Sequence, residues 1–411
     1  MKKTLSIIDF IIYWAIILIP FFMAIAPAPA NVFMGFLIAA FLVKKLLKKE
    51  ALFVQTPVNI PLLFFFIITC VSVINSINLA DSFRGGIARL LYSVFVFFIV
   101  VEEVKERKHL NLVIISLFLG ALLVSVDSIY QVISGRDFIR GYLTIINVGL
   151  IRATASFKDS NILGIYLSAI TPLIFGLTLY YFKPPKKFFL ILLSLIVFAG
   201  IALTYSRPTL LAIYVILLFF GVTRRDKMLI TLLLISVVLF PLILPKSVKN
   251  WAKQVEYNPL RFMCNDDRIA AYRNSLNMIK AHPVIGLGAN TYMKNYKKYK
   301  EFPEYRNVVT QDTMYAHNMY LQMAAELGLI GLGIFFWLLF GIFTGGWLIY
   351  KLLKEQYLKI ICLSLLASLV AFLVNGLTES SLYYSRVALI FWYLLGLLFS
   401  LSKFTPLERR I

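Results

Sequence analysis

The sequence predicts an all-α polytopic membrane protein of about twelve transmembrane helices carrying one large helical insert. Three observations predict it. Of 411 residues, 60% are hydrophobic and only 15% charged, whereas a soluble domain carries roughly a quarter charged residues. Apolar runs such as Ile60–Ile77, Phe188–Leu203 and Met228–Leu244 reach or approach the length that crosses about 30 Å of hydrocarbon as helix. One long polar stretch, residues 246–328, interrupts the pattern.

In chain order, spans are expected at 5–28, 30–43, 59–78, 86–102, 111–133, 161–182, 187–204, 208–222 and 227–245 before the insert. Spans at 329–350, 357–377 and 385–402 follow it. The chain thus divides into a first membrane unit (1–245), the insert (246–328) and a second membrane unit (329–411). The second and eighth spans are short, as tilted or re-entrant segments are. The first ends in AIAPAPA, which resembles a signal-peptide cleavage site. Its apolar stretch exceeds a usual signal core, so an uncleaved first helix is the preferred reading.

Orientation follows from Lys and Arg in short loops. Alternate loops read MKK, KKLLKKE, VEEVKERKH, KPPKK, TRRDK, KLLKEQYLK and SKFTPLERR, and together hold 21 of the 41 basic residues. With twelve spans all seven fall on one side. Both termini are then cytoplasmic, and the insert faces the periplasm or exterior. The net charge of +21 is dispersed over two membrane faces, so nucleic acid is not an expected partner. An anionic, lipid-linked substrate fits better. Cys70, Cys264 and Cys362 suggest neither a disulfide framework nor metal-ligand spacing.

The two faces use different cations. The cytoplasmic loops carry 16 Lys and 5 Arg, but the short outer loops and outer span ends, the insert apart, carry Arg84, Arg89, Arg136, Arg140, Arg152, Arg207 and Arg386 against Lys158 alone. Topology requires only positive charge; Arg adds a flat fork that grips phosphate oxygens in pairs. Arginines at the outer membrane–water boundary are what a lipid pyrophosphate requires, although snorkelling to lipid headgroups is the competing explanation for each. Arg207, in the very short turn TYSRP, is the sharpest case; Arg136, Arg140 and Arg386 have mundane loop explanations. Carboxylates within spans are scarce, Asp9 and Asp127 lying near span ends, and no internal repeat is seen. An ion-coupled transporter is therefore the weaker reading.

Within the insert, PKSVKNWAKQVEYNPLRF could lie along the membrane surface. NDDRIAAYRNSLNMIKAH reads as an amphipathic helix, capped by Asn265 or Asp266, with Ile269, Tyr272, Leu276 and Ile279 on its apolar face. His282-Pro283 ends it and GLGANTY turns the chain. A Tyr- and Lys-rich segment follows, and AHNMYLQMAAELGLIG begins a helix that runs into the tenth span. His317 stands at that helix start, and an ordinary imidazole, titrating near pH 6.5, suits general-base work. A loop histidine that merely hydrogen-bonds is the alternative; His282 reads as structural and His109 as cytoplasmic. Asp266-Asp267 lacks the spacing of a metal site, and no hydrolase, kinase or dinucleotide motif occurs in its proper context.

Four of these segments together resemble the O-antigen ligase and polymerase superfamily of bacterial envelope glycosyltransferases. They are IRATASFKDSNILGIYL, TYSRPTLLA, DRIAAYRNSLNMIKAHPVIGLGANTY and YAHNMYLQMAAELGLIGLG. Tyr272 departs from the Trp often found there, and the first five spans match in hydropathy alone. The resemblance implies a GT-C-like membrane glycosyltransferase of the bacterial inner membrane with a periplasmic active site. Its donor would be a glycan on undecaprenyl pyrophosphate, and its acceptor a lipid A-core sugar hydroxyl for a ligase. A polymerase or an O-oligosaccharyltransferase on the same scaffold is the alternative, and a lipid-glycan transporter the alternative of another class. No cofactor, nucleotide sugar or metal is implied. In these terms His317 is the expected base. Arg152, Arg207 and Arg268 are the expected pyrophosphate ligands. Arg84 and Arg89 assist on physical grounds alone.

Overall fold

The computed structural model describes residues 2–147, 150–243, 246–254, 256–258, 264, 266–300 and 314–406. Ten helices are long and apolar enough to cross a membrane. The first five are α1 (Lys2–Ile25), α2 (Pro27–Lys48), α4 (Leu79–Glu103), α5 (Arg107–Ser134) and α6 (Ser160–Tyr180). The others are α7 (Lys186–Leu203), α8 (Arg207–Arg224), α13 (Met319–Leu352), α14 (Gln356–Asn375) and α15 (Ser385–Phe404). Two shorter apolar helices, α3 (Asn59–Asn75) and α9 (Lys227–Leu239), fall where the third and ninth spans were expected. The second and eighth spans are longer than hydropathy predicts, because Lys45, Lys48 and Arg224 belong to the last turns of helices of 22 and 18 residues.

Helices that are apolar all round must be buried in lipid or in one another. Here α6, α14 and α15 form the centre, with 83%, 78% and 83% of their apolar windows enclosed by protein, against 17% for the peripheral α7. Helix α14 packs on α6 and α8, α15 on α4, and α13 on α3. Hydroxyls inside the spans donate to their own helix, as Thr171 does to Leu167 O (2.7 Å) and Ser368 to Ser364 O (3.0 Å), which satisfies both within the apolar layer.

The two ends of the bundle differ. At one end Lys44 joins Asp9 (2.7 Å) and Glu103 (2.8 Å), Lys45 joins Glu102 (2.6 Å), and Arg107 pairs with Glu355. At the other, Arg386 lies flat on Phe157 (3.7 Å) and donates to the carbonyls of Met23 (2.8 Å), Ala24 (2.5 Å) and Ser156 (2.8 Å). Arg386 is thus a staple between three chain segments. Two three-residue strands, β1 (Ile145–Asn147) and β2 (Leu150–Arg152), pair antiparallel at that same end.

The insert supplies α10 (Lys246–Gln254), α11 (Asp266–Ala281) and α12 (Tyr292–Tyr299). The expected cap Asn265, and most of the Tyr/Lys-rich segment beyond Lys300, lie outside the described residues. Helix α11 is rotated from the expected amphipathic register. Arg268, Ala271, Ser275 and Met278 face inward, while Leu276 is 47% exposed. The cause is chemical: one inward position is an arginine drawn to a buried carboxylate, which apolar periodicity alone does not anticipate.

Candidate functional site

Four chain segments converge at the Arg386 end of the bundle. The first is β2, which ends in Arg152. Its successor Ala153 donates its N–H to Leu203 O (2.9 Å), and Arg152 Nε donates to Thr204 O (2.7 Å), pinning the strand to the end of α7. Arg152 Nη2 also donates to Asn161 Oδ1 (2.9 Å) in the first turn of α6, a helix capped by Asp159. The second segment is the turn into α8. Tyr205 adopts a left-handed backbone, and Arg207 and Pro208 open the helix, Pro at a position where its missing N–H costs nothing. Arg207 lies within electrostatic reach of both Arg152 and Arg268.

The third segment is α11 with the start of α13. Asn318 caps α13, its Oδ1 accepting from Tyr320 N (3.0 Å) and Leu321 N (2.9 Å). That cap sets His317 just outside the helix, in a left-handed conformation (φ 47°). Tyr272 of α11 donates from Oη to the His317 carbonyl (3.1 Å).

The fourth segment was not anticipated. It runs NGLTESSLYYS between α14 and α15, and its Glu379 is the hub of the site. Glu379 Oε1 pairs with Arg268, both side chains nearly enclosed (2% and 10% exposed). Glu379 Oε2 meets His317 Nδ1 at 3.1 Å and accepts from Tyr384 Oη (3.4 Å). The His317 ring remains 25% exposed. Burial alone pushes the Glu379 carboxyl up, but Arg268, and then His317 and Tyr384, outweigh it and hold the group below the usual glutamate range. An ionised Glu379 fixes the imidazole with its proton on Nδ1, which leaves Nε2 as an acceptor. Burial, and the like charge of Arg268, lower Arg152 from its ordinary value, which Asp159 and Glu379 partly offset. On either side of Glu379 the Thr378, Ser380 and Ser381 hydroxyls are buried without a hydrogen-bond partner among the described residues.

Of the sequence-predicted residues, His317, Arg268, Arg207 and Arg152 are thus brought together. Arg89 is not part of that group. It sits where α4 leaves a π-helical turn (Ser82–Ala88) and donates to Tyr383 O (2.9 Å) and Asn290 Oδ1 (3.1 Å). Arg84 is exposed on the same turn, and no described contact ties it to His317. His282 ends α11, and its Pro283 neighbour serves a structural role. The N–H groups of Leu287 and Gly288 donate to Ala325 O (2.9 Å) and Glu326 O (3.0 Å), and Leu329 N–H donates to Pro283 O (2.8 Å). This docking occupies a break in α13 at Gly328 (φ 72°, ψ 178°).

The fold and this site define a class: a multi-pass helical membrane protein with a carboxylate-oriented histidine and several arginines gathered where its helices end. Residues 189–336 match the model of a family described as O-Antigen ligase. The matched segment runs from α7 into α13 and contains Arg207, Arg268 and His317, while Arg152 and Glu379 lie on either side of it. The match supports membership of the O-antigen ligase and polymerase superfamily. The family points to a coarse enzymatic role of ligase or polymerase type, to lipid-linked glycans as the general substrate class and to the bacterial inner membrane, while the apolar helices themselves make the chain a multi-pass membrane protein. No curated protein matches the chain.

Proposed function

We propose that the protein is an O-antigen ligase, transferring a glycan from undecaprenyl pyrophosphate to a sugar hydroxyl of lipid A-core at the periplasmic face. The observation that carries this reading is the His317–Glu379–Arg268 constellation, in which one buried carboxylate orients a partly exposed imidazole and holds an arginine. In the reaction His317 Nε2 takes the acceptor hydroxyl's proton as that oxygen attacks the anomeric carbon of the donor. The bond from that carbon to the pyrophosphate oxygen breaks, and undecaprenyl pyrophosphate departs with the electron pair. Direct displacement inverts the anomeric centre. Glu379 stabilises the imidazolium that forms, as a buried carboxylate beside a catalytic histidine does. Charge grows on the leaving pyrophosphate, and preorganised Arg152, Arg207 and Arg268 stabilise it. Helix α11 of the insert covers the site from the periplasm through Arg268 and Tyr272, with both termini cytoplasmic.

The test is transfer of a labelled glycan from purified lipid pyrophosphate to lipid A-core by the reconstituted full chain. His317→Ala is expected to insert and fold normally yet to lose at least about 100-fold in rate, the lower bound of general-base assistance. Undiminished transfer by that variant removes His317 from the chemistry. Label appearing as longer chains still on the carrier lipid, with none on lipid A-core, assigns the polymerase reaction instead.

A further inference from the structure

The loop that joins α5 to α6 displays apolar side chains outside any span. Helix α5 turns Ile115, Leu119, Val126 and Ile133 outward, all exposed and all on one helix face. In a span, such a stripe faces lipid. The chain beyond Gly135 continues it. Phe138 is exposed and sets its ring edge-on against Tyr130 at 5.5 Å, and Leu143 is exposed after it. Next comes the hairpin of β1 and β2, in which Ile146 lies directly opposite Ile151. Residues opposite one another in an antiparallel pair share a face, and these two are 74% and 46% exposed. Ile145 and Arg152, also opposite one another, take the other face.

Buried polar groups hold this loop in place. The Phe138 N–H donates to Asp127 Oδ1 (2.8 Å). Asp137 is buried, and its oxygens accept from the N–H groups of Arg140 and Tyr142. Gln131 ties the loop to the strand that follows it. Its Nε2 donates to Tyr142 O (2.9 Å), and its Oε1 accepts from the N–H groups of Thr154 and Ala155 (2.8 Å each). Strand β2 is in turn pinned to the end of α7 through Ala153 and Arg152. The hairpin therefore sits at the level where α5 and α7 end, and α7 is the span least enclosed by protein.

The charges around the loop are of one sign. Arg136, Arg140 and Lys158 are exposed, and Arg140 and Lys158 lie over the Tyr142 ring at 5.0 and 5.6 Å. The neighbouring acids are engaged elsewhere, Asp137 with the loop's own N–H groups and Asp159 as the cap of α6. Exposed isoleucines gain nothing from water, and a contiguous apolar surface marks a place where something else lies. A symmetric pairing with a second copy would bring these cations against their like. An apolar face level with the span ends, rimmed by arginines and a tyrosine, is instead the composition of an element that rests in a lipid interface.

We propose that the loop after α5 and its hairpin form a lipid-binding element of the outer leaflet. Phe138, Leu143, Ile146 and Ile151 enter the leaflet, and Arg136 and Arg140 hold anionic phospholipid headgroups. Because the other face of the hairpin carries Arg152, the bilayer surface supports the strand that delivers this guanidinium to the His317 site. The inference goes beyond the transfer reading above and stands without it.

The test uses the full chain in lipid nanodiscs, with a nitroxide on Ile146→Cys or Ile151→Cys and, as a control, on Leu276→Cys at the exposed face of α11. Labelling of the native cysteines, measured on the wild type, is subtracted. Oxygen, which partitions into lipid, and a neutral water-soluble nickel chelate serve as collision partners. In phosphatidylglycerol nanodiscs oxygen is expected to prevail at both hairpin positions and the chelate at Leu276. Adding Arg136→Gln and Arg140→Gln should raise chelate access at Ile146 by up to about fivefold per arginine, and phosphatidylcholine nanodiscs should abolish that difference. Chelate prevailing at both hairpin positions overturns the proposal, and so does spin–spin broadening there, which would place a second copy on the face. Chelate access unchanged by loss of the two arginines overturns the headgroup contact and with it the choice of an anionic lipid.

Discussion

Replacing Glu379 with Gln removes one negative charge at nearly constant volume, and the burial of that charge determines the damage. Glu379 and Arg268 are almost enclosed, at 2% and 10% side-chain exposure. Withdrawing one charge of such a buried pair costs about 3–5 kcal/mol. His317 loses the carboxylate that fixes its tautomer, so kcat is expected to fall by about 100-fold or more, within the range of general-base catalysis. Steady-state transfer assays on reconstituted protein give kcat, and thermal unfolding gives stability. The pH dependence has a definite sign. Because the Glu379 carboxyl is held below its ordinary value of 4.5, its contribution is complete above that value and disappears as pH falls through the lowered one. The stability gap between wild type and Glu379→Gln should therefore be full at neutral pH and close in acid. Wild-type kcat in the variant, or a gap that persists in acid, would refute the reasoning.

Two further outcomes rest on the same geometry. Arg268→Lys keeps the charge but loses the fork, and kcat/KM for the donor should drop roughly tenfold or more; an unaffected value excludes bidentate phosphate contact by Arg268. Gly328→Ala places a Cβ 2.0 Å from Val284 O at φ 72°, adding backbone strain of about 1–3 kcal/mol to that clash, so the unfolding midpoint should fall well below that of a Gly333→Ala control, where a Cβ meets nothing within 4 Å.

Span positions were legible because hydrocarbon thickness imposes one length on every helix, and α13 shows the limit of that rule. Hydropathy places a span at 329–350 and the helix running into it begins at Met319, as its sequence suggests, but the break at Gly328 has no local signature. The break is stabilised by the distant Pro283–Gly288 segment, which no local pattern reports. Arg152 and Arg207 were legible because arginine, unlike lysine, was concentrated at the short outer loops and span ends, whereas Arg268 was reached through the insert's DRIAAYRN segment and its family resemblance. Arg89 shared that signal but faces a different neighbour, since Tyr383 and Asn290 reach it from distant segments. Glu379 was passed over for the opposite reason. A lone acid in a small-residue turn looks solvated, and only the fold encloses it between Arg268 and His317. The available hint was its position, a carboxylate between two apolar spans on the arginine-rich side. The register of α11 was misread on the same account, because burial there follows an ion pair rather than hydrophobicity.

The docking of Pro283–Gly288 onto the break in α13 also dictates how such proteins can exchange parts. The N–H groups of Leu287, Gly288 and Leu329 find their acceptors only across that junction. A chimaera that takes the insert from one relative and the tenth span from another, joined at residue 328, would separate the two strands of one hydrogen-bonded splice. Residues 283–290 and 325–329 therefore form the smallest graft that can pass intact between homologues, although residues 291–324 lie between its halves. Natural recombination is expected to leave its crossover points outside that pair.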